Sequence, residues 1–147
     1  MLHENLIQIL GPSLVHTGRA IKVKNINLFS SLGFEITPEQ FVVLDTLDKN
    51  VSMNQTELCE ALYKDKSNMT RILSILSDKE LIEKAPVVDK KLVNKVEITA
   101  KGKKLRDKIA PVLSNAHKEY FSNISASDIC TCFKVLSQIQ ENLLEEN

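Results

Sequence analysis

Lys66-Ser67-Asn68-Met69-Thr70-Arg71 gathers side chains suited to reading a nucleic-acid duplex. Arginine can bond two atoms of a guanine edge at once, and asparagine can do the same with adenine. Serine and threonine hydroxyls bond either kind of base edge, and lysine suits phosphate. The run opens a segment whose other face is apolar, with Met69, Ile72, Leu73 and Leu76 at helical spacing. Ser67, Arg71 and Ser74 fall on the opposite side. In a helix-turn-helix, the first residues of the second helix meet base edges in the major groove. The expected readers are Ser67, Asn68, Thr70 and Arg71, with Lys66 beside them. Gln55, Thr56 and Lys66 are candidates for phosphate contact, which fixes register without reading sequence. Plainer roles exist for two of these. Arg71 could form a surface ion pair with Asp78 or Glu60, and Thr56 fits any early helical position.

The elements around this run follow from caps and periodicity. Apolar residues from about 5 to 32 recur at helical spacing. Gly11-Pro12 interrupts them, so Pro12 is expected in the first turn of a main helix, with a separate turn or short helix before it. Thr37-Pro38-Glu39-Gln40 is a capping box with proline at the first helical position. The helix it opens presents Phe41, Leu44 and Leu47 and ends at Asp48-Lys49-Asn50. Val51-Ser52-Met53 reads as a short strand. Asn54 and Glu57 cap a short helix with Leu58, Ala61 and Leu62 inward. Tyr63-Lys64 turns the chain, and a new helix starts near Asp65 and runs to about Lys79. Residues 81–87 and 93–98 read as a hairpin, the second strand alternating Asn94, Val96 and Ile98 with Lys95 and Glu97. Thr99 caps a long helix that Pro111 should kink or split. Ser125 and Asp128 open a last helix with the stripe Ile129, Cys132, Phe133, Leu136, Ile139 and Leu143.

The 147 residues fit one domain of ordinary size. No apolar run is long enough to span a bilayer, and Met1-Leu2-His3-Glu4 lacks the basic start of a signal peptide. A cytoplasmic protein with no membrane partner is expected. The formal net charge is zero, which argues against a nucleic-acid binder until the distribution is read. Residues 84–108 hold nine basic and three acidic side chains, a local excess of +6 beside the candidate reading helix. The plain reading is a solvated lysine-rich face. Cys59, Cys130 and Cys132 do not form a disulfide scaffold, and redox sensing would need an electropositive, partly exposed thiol. His3, His16 and His117 are scattered, so no metal site is expected. No phosphate-gripping glycine loop and no nucleophile–base motif is present. Triads are assembled in space, so this weakens the case for an enzyme without closing it.

The order helix, helix, strand, helix, helix, hairpin, helix, helix resembles the MarR family of winged-helix regulators. Four segments carry the resemblance. "ITPEQFVVLDTL" is similar to the family's second helix. "MNQTELCEALYKDKSNMTRILSILSDKELIEK" is similar to its helix-turn-helix and the entry to its wing. "VNKVEITAKGKKL" resembles the wing's return strand and the Leu-Thr-x-x-Gly signature. "ISASDICTCFKVLSQIQENL" resembles the closing dimerisation helix. The resemblance implies a mainly α fold with a small β wing. Residues 36–99 would be the winged helix lobe, and 1–35 and 100–147 the dimerisation helices, all within one MarR-like domain. It implies a homodimeric, sequence-specific DNA-binding transcriptional regulator, foremost a repressor, on a pseudo-palindromic operator. It further implies release from double-stranded DNA by a small-molecule effector, with Phe29, Phe41 and Tyr63 offered as pocket residues and no cofactor or metal. Lys90, Lys91 and Lys95 would serve the wing. Two positions depart from the pattern. Glu80 stands where the family has a left-handed glycine, at a cost of about 1 kcal/mol. Asp89-Lys90-Lys91 stands where the wing has Asp-x-Arg, and lysine cannot make arginine's forked contacts. The alternative is a winged-helix protein-interaction module that has lost specific DNA binding, suggested by the zero net charge and the missing wing arginine.

Overall fold

Three successive helix starts carry side-chain caps, two of them the capping boxes expected from the sequence. In the computed structural model, which describes residues 1–87, 90 and 94–144, the Thr37 hydroxyl accepts from the Gln40 amide while Gln40 Oε1 accepts from the Thr37 amide. Asn54 and Glu57 make the same reciprocal pair at 2.8 Å in each direction. Asp65 Oδ1 accepts from the Asn68 amide at 2.8 Å. Each satisfies a backbone donor that a helix end would otherwise leave open. These caps open α2 (Pro38–Lys49), α3 (Gln55–Leu62) and α4 (Lys66–Asp78), which follow a long α1 (Leu2–Ser31).

The chain then forms β1 (Ile82–Lys84) and β2 (Val96–Ile98), followed by α5 (Ala100–Tyr120) and α6 (Ala126–Leu144). The two strands are antiparallel, with Ile82 opposite Ile98, Glu83 opposite Glu97 and Lys84 opposite Val96. Met53 adds a third edge by a bridge to Val96, so the short strand expected at 51–53 is one residue of pairing. The described strands are also shorter than the expected 81–87 and 93–98. Val93, Asp89 and Lys91 lie outside the described residues.

Two compact units divide the chain, Met1–Ala110 and Pro111–Asn147. The core of the first is built from α2, α3, α4 and the strands. Leu44 and Leu47 of α2, Leu58 of α3 and Met69, Ile72 and Leu76 of α4 are all buried, as are Leu81 and Ile82. Leu73 of the expected inward stripe is only half-buried, and Ala61 is exposed. The eight-residue α3 turns its inner face through Leu58, one turn before Ala61 reaches the edge. Phe29 near the end of α1 meets Phe34 and Phe41 edge-on, with centroids 5.2 and 6.1 Å apart.

Both prolines that were expected to interrupt helices lie inside them. α1 runs unbroken through Pro12, so its first residues are no separate element. The ring removes the N–H that would reach the Gln8 carbonyl. Gln8 is exposed, so water can take that carbonyl. α5 likewise continues through Pro111 without being split.

Helix ends are shaped by left-handed residues. Past α1, Gly33 has φ +66°, and the Phe34 amide reaches back to the Phe29 carbonyl. Past α3, Tyr63 has φ 51°. Past α4, Glu80 has φ 59°, its amide donates to Ser77 O and the Leu81 amide donates to Leu76 O. The departure read from the sequence is therefore real: glutamate takes a conformation that usually selects glycine.

Candidate nucleic-acid interface

The helix pair that would address a duplex is held together by one side chain. Gln55 Nε2 donates to Lys66 O at 2.9 Å and to Thr70 Oγ1 at 2.6 Å. The Thr70 hydroxyl in turn donates to Lys66 O at 2.8 Å. Both amide hydrogens of Gln55 are thus committed inside the protein. A phosphate oxygen only accepts, so the expected phosphate contact from this side chain would require giving up an internal bond. The hydroxyl proton of Thr70 is committed in the same way.

The remaining expected readers stand free. Ser67, Arg71 and Lys66 are exposed, and Asn68 is half-buried. Among the described residues, Arg71 makes no ion pair with Asp78, Glu60 or any other carboxylate. Ser67, Thr70, Arg71 and Ser74 border one shallow surface depression along α4. Thr56 is exposed in the first turn of α3. Asn54 Oδ1 takes the Glu57 amide and Asn54 O takes the Leu58 amide, which leaves the backbone N–H groups of Gln55 and Thr56 pointing out of the helix start. That pair of donors was not singled out in the sequence, although the Asn54 cap marks them.

The wing residues divide. Lys90 is exposed. Lys91 falls outside the described residues. Lys95 is paired with Glu57 Oε1 at 3.2 Å and keeps only 21% of its side chain exposed. This pair joins the base of the wing to α3. The Glu57 carboxyl is held below its usual range by the Asn54 backbone amide and then by Lys95. Lys95 therefore braces the lobe, a role its place in a lysine-rich run did not suggest.

The three expected pocket residues do not come together. Phe29 lines a cleft of about 510 Å³ with Ile26, Phe34, Ile36 and Ile72. Lys22, Glu39 and Arg71 stand at its polar parts. Phe41 lies behind Phe29 in the ring cluster and is not on the cleft surface. Tyr63 is 61% exposed in the turn between α3 and α4, because its left-handed backbone swings the side chain outward. Glu39 pairs with Lys22 at 2.7 Å and Lys64 at 3.7 Å, tying α1 to α2 and to that turn. The Lys22 hydrogen bond holds the Glu39 carboxyl below its usual range, against the opposing effect of burial.

Where the lobe meets α5, one hydroxyl makes the joint. Thr99 Oγ1 donates to Glu80 O at 2.8 Å and accepts from the Gly102 amide at 3.0 Å. A Cβ at Gly102 would collide with the Leu81 carbonyl. This is why the position after the return strand needs glycine. One turn later, Arg106 sits among Asp45, Asp48 and Asp107. No spacing rule pairs residues 61 apart, so this cluster was invisible in the sequence.

The cysteines are free: Cys59 is half-buried, and Cys130 and Cys132 are exposed. Among the described residues no three His, Cys, Asp or Glu side chains converge as metal ligands. No described helix is long and apolar enough to cross a membrane.

Comparison with known proteins agrees with this geometry. Residues 36–93 match the model of the MarR family. That span contains α2, α3, α4 and β1. Among solved structures, a MarR/EmrR family transcriptional regulator from Acinetobacter sp. ADP1 superposes with a TM-score of 0.86 at 14% identity, over 95% of this chain and 98% of that one. A MarR family transcriptional regulator from Silicibacter pomeroyi DSS gives 0.82 at 20% identity, over 95% and 93%. Wild-type MarR from E. coli, in its apo form, gives 0.70 at 24% identity, over 88% and 96%. Residues 36–93 are thus a MarR-family segment, carried in a chain that has the fold of MarR-family structures.

Proposed function

We propose that this chain is a sequence-specific DNA-binding transcriptional regulator, acting as a homodimer on a pseudo-palindromic operator. Catalysis is no part of this reading. The observation that carries it is the contrast between the two faces of α4. The inner face is buried through Met69, Ile72 and Leu76. The outer face holds Ser67, Arg71 and Ser74, all exposed. Arg71 and Asn68 would read base edges, Lys66 and the backbone amides of Gln55 and Thr56 would take phosphates, and Lys90 and Lys91 would add salt-dependent affinity from the wing. A helix start is a natural anion site because its N–H groups and dipole both favour negative charge.

Dimerisation is supported by unpartnered apolar faces. Leu2, Leu6, Ile9 and Leu10 of α1, and Ile129, Phe133 and Leu143 of α6, are all exposed in the single chain. A two-fold pair of lobes would set the two α4 helices about 34 Å apart, one turn of duplex. Repression would follow from occupying a promoter, and a small molecule seated in the Phe29 cleft would release the DNA by changing how Arg71 and Ile72 are held.

Fluorescence anisotropy with duplex from upstream of the protein's own gene, against a shuffled duplex, tests the reading. Tight binding to the native duplex alone, weakening steeply with salt, is the expected result. Arg71→Ala should weaken it by about 1–3 kcal/mol and narrow the gap between native and shuffled sequence. Equal binding of both duplexes by wild type and Arg71→Ala would refute the assignment. It would favour a winged helix that serves a protein partner.

A further inference from the structure

Among the described residues α5 meets the rest of its unit through the fully buried Ile109, through Lys108 over the Phe34 ring and through two polar joints. The first is the corner already described, where Thr99 Oγ1 links Glu80 O to the Gly102 amide. The second lies four residues on, about 6 Å along the helix axis.

That second point is Arg106. Its Nε and Nη2 both donate to Asp45 Oδ1 of α2, at 3.0 and 2.9 Å. Its Nη1 donates to Asp107 Oδ1 at 2.9 Å, and its Nε lies 3.6 Å from Asp48 Oδ2. Lys49 takes the other oxygen of Asp45, and Lys103 lies 3.6 Å from Asp48. Three carboxylates and three cations therefore close a neutral network between α2 and the first turns of α5. Arg106 keeps 24% of its side chain exposed, Asp45 22% and Asp48 17%. Lys49, Lys103 and Asp107 are each more than half exposed, so the network can be altered without opening the core. Every nitrogen of the guanidinium has a carboxylate, which no lysine could reproduce, since the planar fork is what fixes direction.

We infer that Arg106 is a positioning residue: with Asp45 and Asp48 it sets the tilt of the winged lobe on α5, and so whether two lobes can meet successive grooves together. The effect on DNA rests on the homodimeric reading proposed above, whereas the tilt does not. The partners of Arg106 are on α2 and α5, not on α4.

The test measures tilt and binding separately. In a chain with Cys59, Cys130 and Cys132 replaced by serine, Ser74→Cys and Lys104→Cys take spin labels on exposed sites of α4 and α5. Labelled protein is diluted with excess unlabelled protein so that only distances within one chain are read. The parent should give one narrow distance distribution. Arg106→Gln should broaden it, Arg106→Lys should broaden it less, and the swap Asp45→Arg with Arg106→Asp should narrow it again. Thermal melts of the same proteins show that each is folded, and Arg106→Lys keeps the comparison open if Arg106→Gln does not fold. In unlabelled protein, Arg106→Gln should bind the upstream duplex roughly tenfold more weakly, with the salt dependence unchanged. A parent-like distance distribution in both Arg106 variants overturns the inference. So does a broadened distribution with unchanged DNA affinity. Wild type that binds no duplex refutes the DNA reading instead, and the distance measurement still decides the tilt.

Discussion

The winged lobe and the last helix handle the same amino-acid types in opposite ways. In the lobe, the leucines of α2, α3 and α4 at positions 44, 47, 58 and 76 are buried against one another. In α6, an equally regular stripe leaves no residue buried. Phe133 is 69% exposed and Leu143 61%. Leu136 and Ile139 are half-buried, and the rest of the stripe is an apolar surface left without cover in the single chain. The lobe buries its apolar residues within the chain, and α6 is the surface through which the proposed dimer would associate.

That contrast can be broken at either end. Leu44→Ala should lower unfolding stability by about 2–5 kcal/mol, read from chemical denaturation, because a fully buried leucine leaves a cavity. Phe133→Glu should leave the lobe's fold intact but shift the protein to monomer in sedimentation equilibrium. A dimer that survives this charge would show that α6 is not the associating surface.

A smaller effect sharpens the contrast through pH. The carboxyls of Glu39, Asp45 and Glu57, all in the first unit, are held below their usual values of 4.5, 3.8 and 4.5. Lysine partners lower the first, and Lys49 and Arg106 lower Asp45 against the opposing push of burial. A folded value below the unfolded one means stabilisation that is full above the unfolded value. It is lost as pH falls through the folded value. Stability should therefore be flat near neutrality and decline in acid below about pH 4.5, the loss beginning in the lobe. A midpoint that rises on acidification would contradict these pairings.

The smallest effect is at a helix end. Gly33 and Glu80 close α1 and α4 with the same backbone hydrogen bonds, one with glycine and one with glutamate. Glu80→Gly should raise stability by about 1 kcal/mol, seen as a shifted denaturation midpoint. The lost Lys101 pair counts little, since Glu80 is 82% exposed there.

Much of this was legible in the sequence because it is local. A cap and its partner sit three residues apart, so Thr37–Gln40, Asn54–Glu57 and Ser125–Asp128 could be named without coordinates. The buried stripe of α4 and the left-handed Glu80 followed from spacing and from a missing glycine. The roles of Gln55, Lys95 and Arg106 did not, because their partners lie 11 to 61 residues away. A lysine-rich run shows charge, and only the fold shows that Lys95 is already answered by Glu57. Pro12 misled for a related reason: the rule against mid-helix proline assumes that the freed carbonyl has nowhere to go, and Gln8 is exposed, where water can reach it.

Gln55 and Thr70 carry one further implication. Inside the turn they act as a clasp, while Ser67, Arg71 and Ser74 beside them hold nothing in place. On the proposed DNA-binding reading, fold and address are written on different residues of one helix. Mutation could rewrite the three free positions, giving descendants that seek other operators on an unchanged scaffold. Thr70 would stay, not as a letter of the address but as the pin on which the lettered face is mounted.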